Sequence, residues 1–191
     1  MSVLELMQGR RTYRRFVQRP VPQDVVADIV EAVRLSSSAR NGQPVRLILI
    51  EKPADVHRVN TLVKWAAALP PELGTPKDDE RPTLFVAVLQ DKNCAGELDT
   101  STGIALANMT LAAWEKGVGS CIMQAIDRPA LSRMLDLPAH LYLHSMVAFG
   151  YPSHKSTVVD VPENGSLSYY LDENRDYFVP KLDADVLAKR F

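Results

Sequence analysis

The sequence predicts a single α+β domain over residues 1–191, because helical and strand patterns alternate along it without an internal repeat or a linker. Residues 84–89 are apolar at every position, which is typical of a central strand buried on both faces. Residues 104–114 are apolar around almost the whole circumference of a helix, which indicates burial in a large core or in a subunit interface. For a chain of this size, an interface is the more economical explanation.

The first half of the chain predicts three helices and a strand before the buried strand. In order, these are a short helix at 3–8, an extended segment at 10–14, a helix at 22–35, a strand at 45–50 and a helix at 54–69. Gly9 ends the first helix, and the polar loop 36–44 separates the second helix from the strand. Residues 70–82 contain four prolines and a charge run, which predict a long surface loop. Such a loop is either a lid or substrate wall, or a plain connector.

The second half of the chain predicts further strands around a long helix. In order, these are the buried strand at 84–89, a helix at 99–116, a strand at 121–123, a helix at 127–135, a strand at 141–149, a hairpin with strands at 167–171 and 176–179, and a last helix at 183–191. Gly117 ends the long helix, and Asp127 with Pro129 is typical of a helix start. Gly150-Tyr151-Pro152 predicts a turn, and residues 167–191 form a C-terminal extension of the domain.

Composition and charge narrow the class of protein. The 22 Lys and Arg residues nearly balance the 23 Asp and Glu residues, which argues against a nucleic-acid partner. No apolar run approaches the roughly 20 residues that span a bilayer, so no membrane partner is expected. The first residues place Glu5 where a secretion signal needs a basic region and an unbroken apolar run. The two cysteines, Cys94 and Cys121, form no recognisable pair and are expected to be reduced, so we expect a cytoplasmic protein.

The histidines do not predict a metal site. His140 and His144 are four residues apart, a spacing that suits a metal only on a helix, whereas their segment predicts a strand. The sequence also lacks a nucleophile elbow, a P-loop and the glycine fingerprint of dinucleotide-binding folds. Hydrolysis through a nucleophile and P-loop chemistry are therefore not favoured.

The segment from Arg10 to Phe16 carries four arginines within six residues of a nearly neutral chain. If it is extended, Arg10, Thr12 and Arg14 lie on one face, because side chains alternate along a strand. Two guanidinium groups and a hydroxyl on one surface can hold a phosphate and a second electron-rich group. Solvated surface charge is the alternative, and it is the one that we favour for Arg15.

Four separated motifs resemble those of the flavin-dependent nitroreductase family. The first, Arg10-Arg11-Thr12-Tyr13-Arg14-Arg15-Phe16, looks like the family's Arg-Arg-Ser/Thr-x-Arg-x-Phe opening, and the second, Ser38-Ala39-Arg40-Asn41-Gly42-Gln43-Pro44, is similar to its Ser-Ala-Arg-Asn-x-Gln-Pro loop. The third, Gly103-Ile104-Ala105-Leu106-Ala107-Asn108 with Gly117-Val118-Gly119-Ser120-Cys121, resembles the family's central helix and the segment that follows it. The fourth, Phe149-Gly150-Tyr151-Pro152, resembles its late Gly-Tyr-Pro turn. Each motif is short, but their order and spacing are specific. The resemblance covers roughly residues 4–181.

The resemblance implies a nitroreductase-like three-layer sandwich, with a central mixed, mostly antiparallel sheet flanked by helices in a domain-swapped type of homodimer. It implies one FMN at each of two sites on the subunit interface, reduced by NADH or NADPH in a two-step exchange. The flavin carries the chemistry, so no side chain is predicted to be catalytic. The acceptor is expected to be a small planar molecule, such as a nitroaromatic or a quinone. The alternative is a non-catalytic protein of the same fold that binds, stores or remodels flavin.

The resemblance also implies a set of residues around the FMN phosphate. Arg10 should contact the phosphate, with Thr12 and Arg11 at the same end of the cofactor. Arg14 should lie near the N1 and C2-carbonyl edge of the ring, where a cation stabilises reduced flavin. Lys181 should return to the phosphate from the C-terminal region. The family often has a second basic residue after this lysine, but Leu182-Asp183 follows here, and Arg175 is the candidate substitute.

Other parts of the chain are expected around the flavin ring. The loop residues that should reach it from the partner subunit are Ser37, Ser38, Ala39 and Asn41. Ser37 replaces a proline that is common in the family, and Gln43 is expected to support the loop. The backbone of Met123, Gln124 and Ala125 should lie beside flavin N5, with an ordinary buried strand end as the alternative. The substrate side should be formed by region 65–82, with Trp65, Leu69 and Leu73.

Overall fold

The structure is a computed structural model that describes residues 2–189, and its centre is a five-stranded antiparallel sheet. The strands are β1 Phe16–Val17, β2 Val45–Ile50, β3 Leu84–Asp91, β4 Gly119–Met123 and β5 Leu141–Pro152. The long strand β5 pairs with β1, β3 and β4, and β2 pairs with the other edge of β3. Within the described chain, a smaller sheet contains β6 Ser156–Asp160, β7 Tyr170–Leu171 and β8 Tyr177–Lys181, with β8 in the middle.

Helices cover both faces of the central sheet. They are α1 Val3–Gly9, α2 Gln23–Arg34, α3 Pro53–Asn60, α4 Pro71–Gly74, α5 Leu98–Glu115, α6 Arg128–Met134 and α7 Ala184–Leu187, with 3-10 turns at Ala39–Asn41 and Asp78–Glu80. On β3, Leu84, Val86 and Val88 pack with α2 and α5, whereas Phe85 and Leu89 pack with α3 and α6. Because successive strand residues point to opposite faces, this strand separates two cores. The predicted three-layer α+β fold is confirmed.

The long helix α5 agrees with its prediction in length, but within the single chain it is buried on one face only. It runs from Leu98 to Glu115; its buried residues lie on the face that packs against the sheet and α2, whereas Gly103 and Ala107 on the other face are exposed. Gly117 follows it with a positive φ of 74°, a conformation that glycine adopts without a steric penalty.

The strand β4 buries Cys121, and burial raises the pKa of this thiol to about 11. Cys94 and Cys121 are both free cysteines.

The predicted helix at 54–69 is too long, because the helix ends at Asn60. The Thr61 hydroxyl donates to the carbonyl of Arg58, a local bond that competes with continuation of the helix. Beyond it, the chain pairs with the segment after β4: the Lys64 N–H donates to the Ala125 carbonyl at 2.8 Å. The apolar residues that continued the helical pattern are therefore buried by a different conformation.

The predicted turn at Gly150-Tyr151-Pro152 is wrong, because β5 continues through these residues to Pro152. Gly150 pairs with Gly119 of β4, while Tyr151 and Pro152 pair with β1. Glycine and proline lower strand propensity, but both tolerate positions at the end of a sheet. Tertiary pairing outweighs the local turn signal here.

The C-terminal region contains the predicted hairpin together with a strand that the sequence did not reveal. Leu171 pairs with Tyr177 in antiparallel β7 and β8, as predicted. The undetected strand is β6, which runs parallel to β8. The predicted last helix is shorter than expected, since α7 covers only Ala184–Leu187. Positions 190 and 191 of that prediction lie outside the described residues.

Candidate functional site

The arginine-rich segment and the end of β8 line one small cleft of about 150 Å³. The residues that line it are Arg10, Arg11, Thr12, Arg14, Tyr169, Val179 and Lys181. Four of these seven, Arg10, Arg11, Thr12 and Lys181, are residues that the sequence assigned to the phosphate end of a flavin nucleotide, whereas Arg14 was expected at the edge of its ring. Four cationic side chains thus surround a cleft that contains no acidic lining residue among those described, which suits a small anion.

The segment is held in place by its alternate residues. Tyr13 is 5% exposed, stacks on Trp114 of α5 with ring centroids 5.1 Å apart, and donates its N–H to the Ser120 carbonyl at 2.9 Å. Thr12 forms an isolated parallel bridge with Ser120 of β4. Gly119 permits this close packing, since a Cβ there would lie 2.7 Å from the Tyr13 ring. The buried Tyr13 therefore presents Thr12 and Arg14 on the opposite side, as strand alternation predicts.

Arg11 departs from simple alternation and also faces the cleft. One terminal nitrogen, Nη2, donates to the Met7 carbonyl at the end of α1 at 2.6 Å. Its Nε is buried and has no hydrogen-bond partner among the described residues. Burial, followed by the nearby charge of Arg10, lowers the pKa of the Arg11 guanidinium. A buried donor without an acceptor beside other cations is a feature that an anionic ligand would satisfy.

Arg14 lies against two tyrosine rings, those of Tyr169 just before β7 and Tyr177 of β8. Its guanidinium carbon is 4.6 Å from the centroid of the Tyr169 ring and 4.8 Å from that of the Tyr177 ring. Its backbone N–H donates to Nε2 of His154 at 3.1 Å. Cation–π contacts of this kind orient a guanidinium without neutralising its charge. Arg14 can therefore act as a fixed cation at the edge of the cleft.

The prediction that Arg15 is a surface charge is wrong. Arg15 is 6% exposed, donates to the carbonyl of Arg175 and lies 3.8 Å from a carboxylate oxygen of Glu80. The Arg175 guanidinium donates to the same Glu80 oxygen at 3.1 Å. Arg175 thus belongs to a buried ionic cluster, and it is not among the residues that line the cleft. Its suggested role as a second phosphate ligand stays a prediction without a contact to support it.

The serine-rich loop lies against a different cavity. Ser37 and Ser38 line a groove of about 330 Å³ between α2, β2 and α5, which shares no lining residue with the basic cleft. The loop is anchored to α5, since the Ala39 N–H donates to the Ser101 hydroxyl at 3.3 Å. Asn41 is exposed at its tip and has a positive φ of 51°. The structure therefore does not bring this loop and the cleft together within one chain.

Gln43 supports the loop in the manner expected for it. Its backbone N–H donates to the Ser38 hydroxyl at 2.9 Å, and its φ of 46° lies in the left-handed region. Non-glycine residues adopt this region at an energetic cost, and such residues are concentrated at functional sites. The loop conformation is therefore held by internal hydrogen bonds and by its contact with α5.

The end of β4 exposes two of the three residues expected beside the flavin ring. Met123 is buried in the core, whereas Gln124 and Ala125 are exposed. The Gln124 amide contacts Nε2 of His144 at 3.4 Å, and the Ala125 carbonyl accepts the Lys64 N–H. These contacts place the end of β4 on an accessible edge of the sheet.

The three residues expected on the substrate side, Trp65, Leu69 and Leu73, differ in how exposed they are. Trp65 is 6% exposed, packs against Phe85 and donates its indole N–H to the Asn60 side chain at 3.1 Å. Leu69 is partly exposed and Leu73 is 41% exposed. Within a single chain, Trp65 therefore belongs to the core, and Leu73 offers the most accessible apolar side chain of the three.

Sequence reasoning missed two residues of this region. Tyr169 lines the cleft, and the predicted hairpin at 167–171 could have placed it on the same face as the basic residues. His154 contacts the backbone of Arg14 from outside the recognised motifs. No spacing or composition signal in the sequence indicates that contact, because the two residues are 140 positions apart.

Residues 2–189 contain no group of three or more His, Cys, Asp or Glu side chains that could hold a metal ion. The same residues contain no helix with both the length and the apolar character needed to cross a membrane.

The fold is shared with solved nitroreductase structures. A nitroreductase family protein from Clostridium difficile 630 has a TM-score of 0.68 at 22% identity, covering 80% of this chain and 86% of that chain. A protein from Desulfovibrio desulfuricans solved in complex with FMN has a TM-score of 0.67 at 24% identity, covering 88% of this chain and 91% of that chain. The fold is therefore of the nitroreductase class.

Sequence comparison identifies the family itself. The model of the nitroreductase family matches residues 7–151. FMN reductase (NAD(P)H) from Bacillus subtilis is 26% identical over 170 residues, which are 81% of this chain and 68% of the relative. A 5,6-dimethylbenzimidazole synthase from Rhodospirillum rubrum is 24% identical over 188 residues, which are 84% of this chain and 86% of the relative. The chain belongs to the nitroreductase family, and the family predicted from its motifs is confirmed.

Proposed function

We propose that the chain is an FMN-dependent oxidoreductase that takes electrons from NADH or NADPH and passes them to a small planar acceptor. The observation that carries this proposal is the cleft in which Arg10, Arg11, Thr12 and Arg14 meet Lys181. Lys181 is remote in sequence from the other four residues, and a phosphorylated ligand would explain why it lies in the same cleft. Family membership and relatives that bind or reduce FMN support the identity of that ligand.

The donors in the cleft fit the phosphate end of FMN. Guanidinium groups donate in a planar fork that matches phosphate oxygens, and a lysine adds a compact positive charge. The buried Nε of Arg11, without a partner in the described structure, is one donor that a phosphate oxygen could satisfy. A cleft of about 150 Å³ accommodates a phosphate group but not a complete flavin, so the ring must lie outside it.

The direction of β4 supports a position for the ring. Thr12 pairs with Ser120, and Gln124 lies four residues further along the extended chain, about 13 Å away at the usual strand rise. We propose that the cofactor runs along this strand from the basic cleft towards Gln124 and Ala125. The exposed backbone at that end would then lie beside the reactive edge of the ring.

We also propose that two copies of the chain complete each site. The loop with Ser37, Ser38 and Asn41 borders a separate groove, so it would contribute to the flavin held by the other copy. Apolar residues available for such an interface include Leu4 of α1, which is 77% exposed, and the exposed Ala107 of α5. Exposed apolar surface on several neighbouring elements is typical of an interaction face.

FMN, when bound, would supply the redox chemistry by accepting a hydride from the nicotinamide and delivering electrons to the acceptor. The protein would contribute orientation and charge. Arg14, held over two tyrosine rings, lines the cleft and would place a fixed positive charge at the phosphate end of the cofactor, so its expected position at the ring edge stays a prediction. Leu73 and the rest of region 65–82 would limit which planar molecules reach the exposed face. Cys94 and Cys121 are not joined in a disulfide, which supports the proposal that the protein works in a reducing compartment such as the cytoplasm.

The proposal is tested with the purified protein. We expect a yellow protein whose released cofactor has the mass of FMN. Anaerobic mixing with NADH or NADPH should bleach the flavin absorbance within seconds, and addition of a quinone or nitroaromatic should restore it. A folded protein that neither contains nor takes up FMN would contradict the proposal.

A second candidate is a family member that binds flavin without nicotinamide-dependent turnover. The similarity to a relative named 5,6-dimethylbenzimidazole synthase supports it, because that name describes a different reaction from NAD(P)H oxidation. The same mixing experiment separates the two candidates. Stoichiometric FMN that stays oxidised with both nicotinamides would favour the second candidate over the first.

A further inference from the structure

His154 lies in the short turn between β5 and β6, and its side chain contacts the backbone of the arginine-rich segment. Its Nε2 lies 3.1 Å from the backbone N–H of Arg14, and its Nδ1 lies 2.8 Å from the carbonyl oxygen of Lys155. A backbone N–H can only donate and a carbonyl can only accept. The two contacts are satisfied together only by the neutral imidazole that carries its proton on Nδ1 and accepts through Nε2.

The surroundings of His154 favour this neutral form. The side chain is 9% exposed and lies between Tyr13 and Tyr177, with ring centroids at 5.4 and 4.9 Å. The charged groups that act on it are Arg14 and Arg15 from the arginine-rich segment, and Asp176 at the start of β8. Burial, outweighing the carbonyl bond, lowers the pKa of His154 to about 4. Near pH 7 the imidazole is therefore an acceptor for the Arg14 N–H.

We infer that His154 is a positioning residue for the phosphate cleft: through Nε2 it fixes the backbone at Arg14, and thereby the placement of the cationic side chains that bind FMN. The inference rests on the proposed function, since FMN is the ligand whose binding it affects. Tyr177 contributes to the same arrangement, because its ring contacts both His154 and the Arg14 guanidinium. His154 itself is not among the residues that line the cleft.

The inference predicts which properties of position 154 matter. An acceptor is needed at Nε2, because the part-buried N–H of Arg14 would otherwise lose its partner. Gln can present a carbonyl oxygen at a similar reach, whereas Phe preserves the ring and the stacking but accepts nothing. His154→Gln and His154→Phe therefore separate hydrogen bonding from packing.

The first experiment does not depend on FMN binding. Long-range ¹H–¹⁵N correlation spectra of the FMN-free protein at pH 7 should show His154 with its proton on Nδ1 and an unprotonated Nε2. A proton on Nε2 would overturn the inference, because that nitrogen could not accept from Arg14. This result stands even if FMN is the wrong cofactor, so failure of the proposed function can be recognised separately.

The second experiment measures FMN affinity by titrating the cofactor-free variants. We expect His154→Phe to weaken binding by about 10-fold or more, because the part-buried N–H of Arg14 loses its acceptor, and His154→Gln to stay within about threefold of the unchanged protein. The matched control is His57→Phe, at an exposed histidine outside the cleft, which should have no effect. The ratio of the affinities of the unchanged protein and His154→Gln should fall about twofold as the pH is lowered from 6 to 4, where about half of His154 is protonated.

Two results of this titration would overturn the inference. One is unchanged FMN affinity in a folded His154→Phe protein, and the other is an equal loss in the Phe and Gln variants. Thermal unfolding of both variants without FMN shows whether a loss reflects the cleft or the whole fold. If the Phe variant does not fold, the Gln variant remains as the test: a ratio of FMN affinities, unchanged protein to His154→Gln, that stays constant with pH would overturn the inference.

Discussion

At the residue scale, neighbouring arginines of one short segment have different environments. Arg10, Arg11 and Arg14 line the basic cleft, whereas Arg15 is buried in an ionic cluster with Glu80. Strand alternation explains most of this difference, because Tyr13 and Arg15 point inward together. The same arginine-rich motif therefore combines ligand binding with structural anchoring.

Replacement of Arg10 by Ala should weaken FMN binding by about 10- to 100-fold, since a charge-assisted hydrogen bond contributes about 1.5–3 kcal/mol. The melting temperature of the FMN-free protein should change little, because Arg10 is partly exposed at the end of α1. Fluorescence titration with FMN measures the affinity. The control is Arg19→Ala, at an exposed arginine that stacks on Tyr151 outside the cleft. Equal affinities for the Arg10 variant and the unchanged protein would disprove the phosphate contact.

His154 should make the stability of the protein depend on pH. Its pKa is lowered from 6.5 to about 4 in the folded state, so the unfolded chain takes up a proton first as the pH falls. This histidine therefore leaves the free energy of unfolding unchanged above about pH 6.5 and lowers it by about 3 kcal/mol as the pH falls to 4. Urea unfolding at pH 7 and pH 4.5 measures this loss. His154→Gln should reduce this pH dependence, because Gln does not titrate.

Residue identities were predicted better than residue environments. The motifs placed Arg10, Thr12 and Lys181 in one role, and the structure brings all three to the same cleft. The burial of Arg15 was missed because its partners, Glu80 and Arg175, come from distant loops and have no characteristic spacing. Ion pairs and buried contacts of this kind depend on tertiary proximity, which a single sequence does not reveal.

At the element scale, the proline-rich loop 70–82 is fastened at its C-terminal end. Glu80 lies between the guanidinium groups of Arg15 and Arg175, and Arg81 binds Asp78 and His57. The loop therefore joins the N-terminal strand to the C-terminal hairpin. These ion pairs and hydrogen bonds hold the C-terminal end of the loop in place, whether the loop acts as a substrate wall or as a connector.

Glu80→Gln should destabilise the protein by about 2 kcal/mol, because two largely buried guanidinium groups would lose their shared negative charge. The value lies below that of a fully buried pair, since Glu80 retains some exposure. Urea unfolding of the variant measures the change. Asp79→Asn, at the neighbouring exposed acid, is the matched control and should change stability by less than about 0.5 kcal/mol. Equal stability of both variants would show that the cluster contributes nothing.

The type of most elements was predictable, but several of their ends were not. The alternating core of β3 and the long helix α5 follow directly from apolar patterning. The end of α3 and the extension of β5 to Pro152 are set by pairing with distant strands. The parallel strand β6 was missed because it has no partner nearby in sequence. The assignment of residues 1–191 to one domain stays a prediction.

At the scale of the whole molecule, the predicted flavin site is divided between two surfaces of the chain. The cationic residues line the cleft beside β8, and the serine-rich loop borders the groove beside α2. Along α5, Gly103 and Ala107 are exposed one turn apart, and a Cβ at Gly103 would meet no atom within 4 Å. This open helix face is where we propose that a second copy packs.

Ala107→Arg should weaken the proposed dimer by at least about 100-fold, because a two-fold interface would bring two new cations together. The variant should fold as a monomer, since Ala107 is exposed in the single chain, and it should lose FMN. Sedimentation and FMN titration on the same samples measure both effects. Ala54→Arg, at an exposed position on α3 across the sheet, is the control. A dimeric Ala107→Arg protein with full FMN content would exclude this face as the interface.

The cleft combines Arg10 with Lys181, and this determines when it can form during biosynthesis. The ribosome adds Lys181 171 residues after Arg10. Cofactor capture must therefore follow synthesis of β8. A protease that cuts after Tyr177 would remove no residue of the five-stranded sheet, but it would remove the rest of β8 and the lysine of the cleft.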